Sequence, residues 1–85
     1  MGRVVRQGEA SGSAHAIVKA VDRRASYEWQ YSLDGGKTWL QAPGTLKAQT
    51  VIGGLPVGAT VAFRFRAITK KGEGDWSQAV SLVVK

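Results

Sequence analysis

The amino-acid sequence predicts an all-β sandwich, and three observations lead to this class. Apolar and polar side chains alternate in segments 27–32 (YEWQYS) and 60–69 (TVAFRFRAIT), as they do in strands with one buried face. Turn-forming residues recur between the β-prone segments at spacings of about 8–12 residues. No window combines the apolar spacing of a helix with helix caps. Six or seven short strands separated by turns are typical of a sandwich.

Segment 27–39 (YEWQYSLDGGKTW) gives the clearest local prediction, which is a hairpin. Tyr27, Trp29 and Tyr31 occupy every second position and are expected to share the buried face. Residues 34–36 (DGG) tolerate positive φ, and β-prone residues follow them. We therefore predict two antiparallel strands joined by a primed turn.

The segments before this hairpin are also assigned to strands. Segment 3–6 is a short edge strand or a linker remnant, followed by a turn at 8–12. Segment 13–21 (SAHAIVKAV) alternates weakly and would place four residues on one face: Ala14, Ala16, Val18 and Ala20. An amphipathic helix is the alternative because alanine favours helices. The β-branched pair Ile17-Val18 favours the strand.

The rest of the chain alternates between connections and strands. The assignments in order are a loop at 41–47 marked by Pro43-Gly44, a short strand at 49–52, a connection at 53–58, a strand at 60–69, a flexible charged loop at 70–75 and a final strand at 78–84. Within 60–69, Phe63 and Phe65 are predicted to face one side of the sheet, and Arg64 and Arg66 the other.

Composition limits the classes of function. The 85 residues are enough for one small domain, and the absence of cysteine excludes disulfides and thiolate sites. No apolar run approaches the roughly 18–20 residues of a membrane span, so we expect none. The net charge of +6 permits contact with anionic partners and also favours solubility.

The order and spacing of these segments resemble a fibronectin type III domain over about residues 13–84. The segments that carry the resemblance are 27–32 with Asp34-Gly35-Gly36, 51–55 with Gly58, 63–67 and 72–77. The resemblance implies an immunoglobulin-like, seven-stranded β-sandwich that is non-enzymatic and forms one unit of a multidomain protein. It also favours an extracellular or cell-surface location. We expect residues 1–12 to be a linker or partial first strand, and 13–85 to be the domain.

The sequence departs from the pattern of that family at three places. Val18 stands where the family usually has a tryptophan, and Trp29 stands where it usually has a small aliphatic residue. We expect the core tryptophan to have moved across the sandwich, which conserves volume. Val61 replaces a tyrosine whose hydroxyl ties back to the preceding loop. The usual proline at the start of the first strand is missing, so we expect the sequence to begin inside or just before that strand.

No residue pattern predicts catalysis. Segment 32–39 (SLDGGKTW) matches the Asp-box of sialidase-like propellers, but such boxes are mainly structural, so Asp34 is predicted to lock the turn. Carboxylates on a sandwich of this size lack a cleft that would raise the pKa of one of them. His15 is the single histidine, which excludes a histidine-rich metal site. We expect no catalytic residue, cofactor or metal.

Two sets of residues are candidates for binding. In the family's topology, three loops meet at one end and gather five cations, partly neutralised by Glu73 and Asp75: Arg23, Arg24, Lys47, Lys70 and Lys71. The tryptophans Trp39 and Trp76 are candidates for an exposed aromatic surface that binds carbohydrate. Nucleic-acid binding is disfavoured because most aromatic residues are expected in the core.

The main functional hypothesis is a non-catalytic spacer or protein-protein interaction module in a multidomain protein of bacterial or phage-like origin. It would bind a protein partner or neighbouring domains, and its last strand would extend pairing to a neighbour. The alternatives are an accessory carbohydrate-binding module and weak binding of an anionic polymer at the basic loops, which predicts steep salt dependence. We expect a monomer in isolation.

Overall fold

A computed structural model describes residues 3–20 and 24–85. The strands in this part of the chain are β1 (Arg3–Gln7), β2 (Ala14–Val18), β3 (Ser26–Ser32), β4 (Leu40–Thr45), β5 (Gln49–Ile52), β6 (Thr60–Thr69), β7 (Gly72–Glu73) and β8 (Val80–Val83). All pairings between them are antiparallel. Residues 3–20 and 24–85 contain no helix able to span a bilayer.

The strands form two sheets, which confirms the all-β sandwich predicted from the sequence. One sheet has the order β1-β2-β5, and the other has β4-β3-β6 with β7 and β8 on the far side of β6. Since β7 and β8 lie along the same side of β6, they form one edge strand that is interrupted at residues 74–79. Counted this way, the described strands match the seven that were predicted.

The core lies between the sheets and is built from the residues that alternate in the sequence. Tyr27 and Trp29 on β3 are each 2% exposed, and Val61 and Phe63 on β6 are buried beside them. The ring centroid of Trp29 lies 6.2 Å from that of Tyr27. The strand assignment of 13–21 over a helix is also confirmed, although β2 ends at Val18.

Trp29 lies in the core, as expected, whereas its exchange of volume with Val18 stays a prediction. Trp29 is fully packed, and its indole Nε1 donates a hydrogen bond of 2.9 Å to the hydroxyl of Thr45. Val18, on the facing sheet, is 7% exposed. Both side chains line a small, partly open pocket together with Val5 and Ala16.

The prediction of a loop at 41–47 was wrong, because Pro43 and Gly44 lie within β4. Tyr27 pairs with Thr45, whereas Trp29 pairs with Ala42, so one residue of β3 faces two of β4. This is a β-bulge, which accommodates the missing N–H of proline without ending the strand.

Two connections also differ from their predictions. Segment 70–75, predicted as a flexible charged loop, contains β7: Gly72 pairs with Thr69, which forms a tight hairpin around Lys70 and Lys71. The connection between β3 and β4 is a seven-residue loop, 33–39, and not a primed two-residue turn. Gly35 and Gly36 do adopt the positive φ that the sequence indicated.

The segment predicted as a short edge strand or linker remnant at 3–6 forms β1. It pairs with β2 over five residue pairs, from Arg3 with Val18 to Gln7 with Ala14. The domain boundary at residue 13 stays a prediction.

Candidate functional site

The loop 33–39 is fixed by two side chains at its start. The Asp34 carboxylate accepts a hydrogen bond from the Thr38 N–H (2.9 Å to Oδ1) and another from the Thr38 hydroxyl (2.6 Å to Oδ2). The buried Ser32 hydroxyl donates to Asp34 Oδ1 at 2.7 Å and accepts from the Gly36 N–H at 2.8 Å. These bonds confirm the prediction that Asp34 locks the turn.

The same contacts stabilise the ionised form of Asp34. The Thr38 hydroxyl, then the Thr38 N–H and then the Ser32 hydroxyl lower the pKa of Asp34 from 3.8 to about 2. Since the pKa is lower in the folded state, the carboxylate stabilises the fold above the unfolded value of 3.8. That contribution is lost as the pH falls through about 2.

We expect Asp34→Asn to lower the melting temperature at neutral pH, with a difference from the unsubstituted protein that shrinks as the pH falls from about 4 to about 2. Thermal unfolding followed by circular dichroism over this range measures both melting temperatures. Asp75→Asn is the matched control, because it removes an exposed carboxylate outside this loop. A difference that stays constant down to about pH 2 would show that the charge of Asp34 does not stabilise the turn.

The outer face of the larger sheet carries a stack of alternating aromatic and cationic side chains. The guanidinium carbon of Arg64 lies 4.1 Å from the ring centroid of Trp39 and 4.7 Å from that of Trp76. The guanidinium carbon of Arg66 lies 4.6 Å from the Trp76 ring. We call these four residues the tryptophan–arginine stack. They connect the loop 33–39 to the edge of the sheet.

Polar contacts fix the cations of this stack. Arg64 Nε donates a hydrogen bond of 2.8 Å to the side-chain carbonyl oxygen of Gln30. Arg66 forms ion pairs with Glu28 and, at 3.2 Å, with Glu73. The charge of Arg66 is therefore balanced within the domain, and Arg64 is held by its hydrogen bond to Gln30.

The two candidate aromatic residues, Trp39 and Trp76, lie on either side of the Arg64 side chain. Trp39 and Trp76 are half-buried, and each has the Arg64 guanidinium over its ring. A carbohydrate-binding platform needs a ring face open to the ligand, which these contacts restrict. Sequence analysis placed both arginines on the outer face but did not identify the tryptophan–arginine stack.

The strand registers place four of the five candidate basic residues at one end of the sandwich. Ser26 pairs with Ile68, and Tyr27 pairs with Thr45, so the start of β3 and the ends of β4 and β6 lie together. The residues just beyond these strand ends are exposed: Arg24, Lys47, Lys70 and Lys71. Arg23 lies outside the described residues. A binding role for this set stays a prediction.

Glu73 does not neutralise these cations in the way that the sequence suggested. Its carboxylate is turned to the outer face of the sheet, where it pairs with Arg66. Asp75 lies farther from this end, past Gly74, whose N–H donates to the carbonyl of Ala67. In residues 3–20 and 24–85, both ion pairs belong to Arg66, and no ion pair involves the three lysines.

The opposite end of the sandwich contains a clamp on Lys85. The side-chain amide of Gln7 donates to the Lys85 carbonyl at 2.8 Å and accepts from the Lys85 N–H at 2.8 Å. The N–H of Gly12 also donates to that carbonyl, at 2.9 Å. Gln7 thus imitates a backbone pairing partner and attaches the end of the described chain to β1.

Among the described strands, β8 pairs with β6 only, and β1 of the other sheet lies near its second edge, which we call the open edge of β8. Val84 donates its N–H to the Ala59 carbonyl at 2.9 Å and accepts from the Gly58 N–H at 2.7 Å. Because backbone groups alternate in direction along a strand, those of Ser81 and Val83 point away from β6. The Val83 side chain is 52% exposed.

The described residues contain no group of three or more His, Asp or Glu side chains that would hold a metal ion. His15, which was expected to face outwards from its strand, is partly exposed. Its Nε2 lies 2.9 Å from the side-chain oxygen of Gln49 on the neighbouring strand.

Comparisons with known proteins place the fold. No family model matches the sequence, and no curated protein matches it. The chain is similar in structure to the 6th fibronectin type III domain of human fibronectin type III domain containing protein 3, with a TM-score of 0.77 and 17% identity. That match covers 98% of this chain and 80% of the human one.

A crystal structure of the FN1–FN3 domains of chicken CNTN1 is also similar, with a TM-score of 0.73 and 15% identity. The match covers 94% of this chain and 32% of the chicken chain. The order of the strands, the two antiparallel sheets and both structural matches agree. The chain has the fibronectin type III fold, an immunoglobulin-like β-sandwich.

Proposed function

We propose that this domain is a non-catalytic spacer and protein-interaction module that holds neighbouring parts of a multidomain protein at a fixed separation. The proposal rests on where the chain enters and leaves the sandwich. Arg3 pairs with Val18, at the end that carries the basic residues. Lys85 follows β8 at the other end, where Val83 pairs with Thr60.

These two points lie at opposite ends of the strands. The longest dimension of the domain is 38 Å. The clamp formed by Gln7 and Gly12 fixes the backbone of Lys85, which would limit the directions available to any segment that follows. A domain with attachment points at opposite ends holds the segments on its two sides at a fixed separation as long as its own shape does not change.

The open edge of β8 supports the interaction part of the proposal. Backbone donors and acceptors at Ser81 and Val83 are oriented to pair with an added strand, which is a common way for sheets to bind an extended segment. The Gln7 clamp limits this edge at one end. The interruption at 74–79 limits it at the other, so the accessible edge is short.

Distance measurements between two attached reporter domains test the spacer function. A folded reporter with one spin-labelled cysteine is joined to each terminus of the domain, which has no cysteine of its own. Pulsed electron paramagnetic resonance should give a narrow distance distribution centred beyond the 38 Å length of the domain. Gln7→Ala should widen that distribution, because the Lys85 backbone loses both side-chain hydrogen bonds.

The matched control is Gln49→Ala, because this exposed side chain on β5 contacts His15 on β2 and makes no hydrogen bond to Lys85. It should leave the distance distribution unchanged. A broad distribution in the unsubstituted domain, or equal distributions in both variants, would contradict the proposed role of the clamp.

A further inference from the structure

We infer that the basic end of the sandwich binds a linear acidic polysaccharide, an activity separate from the spacer function. The inference rests on how the described cations are ordered. Lys47 follows β4, Arg24 precedes β3, and Lys70 and Lys71 form the turn between β6 and β7. These strands are consecutive neighbours in the sheet, in the order β4-β3-β6-β7.

The cations therefore form a row across the end of the sheet. Neighbouring strands lie about 4.8 Å apart, so the row extends over about 14 Å. Each strand end contributes at least one cation, and exposed side chains on neighbouring strands can contact successive charges of one extended ligand. A linear polymer with an anionic group on each repeating unit fits this arrangement better than a compact anion, which would contact one or two of the side chains.

The three lysines of the row keep their positive charge because two nearby carboxylates pair elsewhere. Glu28 and Glu73 both pair with Arg66 on the outer face of the sheet. The ammonium groups of Lys47, Lys70 and Lys71 have no ion pair within residues 3–20 and 24–85. An anionic ligand would therefore gain these contacts without first displacing a described protein carboxylate.

The absence of a stacking platform among the described residues at this end favours a polysaccharide over single-stranded nucleic acid. Proteins that bind single strands place aromatic rings beside the basic groups. Trp39 lies at the start of β4, opposite the end that leads to Lys47. The guanidinium of Arg64 lies over this ring and over that of Trp76. The row would thus contact only the anionic groups of a ligand.

Binding of a heparin octasaccharide, used as a sulfated probe, tests this inference by isothermal titration calorimetry. We expect binding at about 50 mM NaCl and an affinity about 30–100-fold lower at about 200 mM, as three or four ionic contacts predict. The triple variant K47A/K70A/K71A should bind at least about tenfold more weakly at the lower salt concentration.

The matched control is R6A/K37A/K85A, which also removes three positive charges but at sites away from the row. It should bind within about threefold of the unsubstituted domain, because only the long-range field changes. Circular dichroism melting curves establish that both triple variants are folded. Equal losses in the two variants would attribute binding to net charge and overturn the inference. Absence of binding at about 50 mM, or tighter binding of an oligothymidylate of matched charge, would also overturn it.

Discussion

We expect Trp29→Ala to destabilise the domain by about 3–5 kcal/mol, the largest effect of any substitution considered. The indole is 2% exposed, packs against Tyr27 and Phe65, and donates a hydrogen bond to Thr45. Its removal leaves a large apolar cavity between the two sheets. Since small domains have unfolding free energies of roughly 5–15 kcal/mol, this variant should be marginally folded or unfolded at room temperature.

A double-mutant cycle tests whether Trp29 and Val18 share one volume. Trp29→Val alone should cost about 3–4 kcal/mol through the cavity, and Val18→Trp alone about 1–3 kcal/mol through overpacking. The double variant puts the large ring on β2 and the small side chain on β3. Because both residues line the same pocket, it should be at least about 1 kcal/mol more stable than the sum of the single effects predicts.

Urea unfolding followed by tryptophan fluorescence and circular dichroism gives the four free energies of this cycle. A control cycle combines Trp29→Val with Val57→Ala, an exposed residue in the connection before β6. Those two effects should add within about 0.5 kcal/mol. If the effects of Trp29→Val and Val18→Trp also add within about 0.5 kcal/mol, the two side chains do not compensate each other in volume.

The core could be predicted because burial of one sheet face leaves a period of two in the local sequence. That period identifies Tyr27 and Trp29 on β3, and Val61 and Phe63 on β6, without knowledge of the partner strands. The bulge at Pro43-Gly44 could not be identified in this way. A proline–glycine pair indicates a loop equally well, and only the pairing of β4 with β3 shows that the strand continues through it.

Contacts on the surface were harder to predict because they depend on register. Trp39, Arg64 and Trp76 are far apart in the sequence and belong to a loop, a central strand and an interrupted edge strand. Alternation placed Arg64 on the outer face, but no local pattern indicates which rings lie beside it. The ion pair between Arg66 and Glu73 was missed for the same reason. Residues 70–75 are predicted as a flexible charged loop, which gives Glu73 no register with β6.

Because of the tryptophan–arginine stack, we expect Arg64 to contribute more to stability than an arginine on an outer sheet face usually does. We expect Arg64→Ala to cost about 1.5–3 kcal/mol, from contacts with two rings and the lost charged hydrogen bond to Gln30. The substitution also uncovers apolar ring surface of Trp39 and Trp76. Arg64→Lys should recover only part of this stability, because an ammonium group cannot stack as a planar guanidinium does.

Urea unfolding of Arg64→Ala, Arg64→Lys and the control Arg6→Ala separates the effect of the stack from the effect of charge. Arg6 is an exposed strand residue on the other sheet, and its substitution should change stability by less than about 0.5 kcal/mol. A cycle that combines Arg64→Ala with Trp76→Phe should give a coupling energy above about 0.5 kcal/mol if ring and guanidinium interact. If Arg64→Ala costs no more than Arg6→Ala, the close contacts of Arg64 contribute nothing to stability. The edge strand would then be held by its backbone pairing with β6 alone.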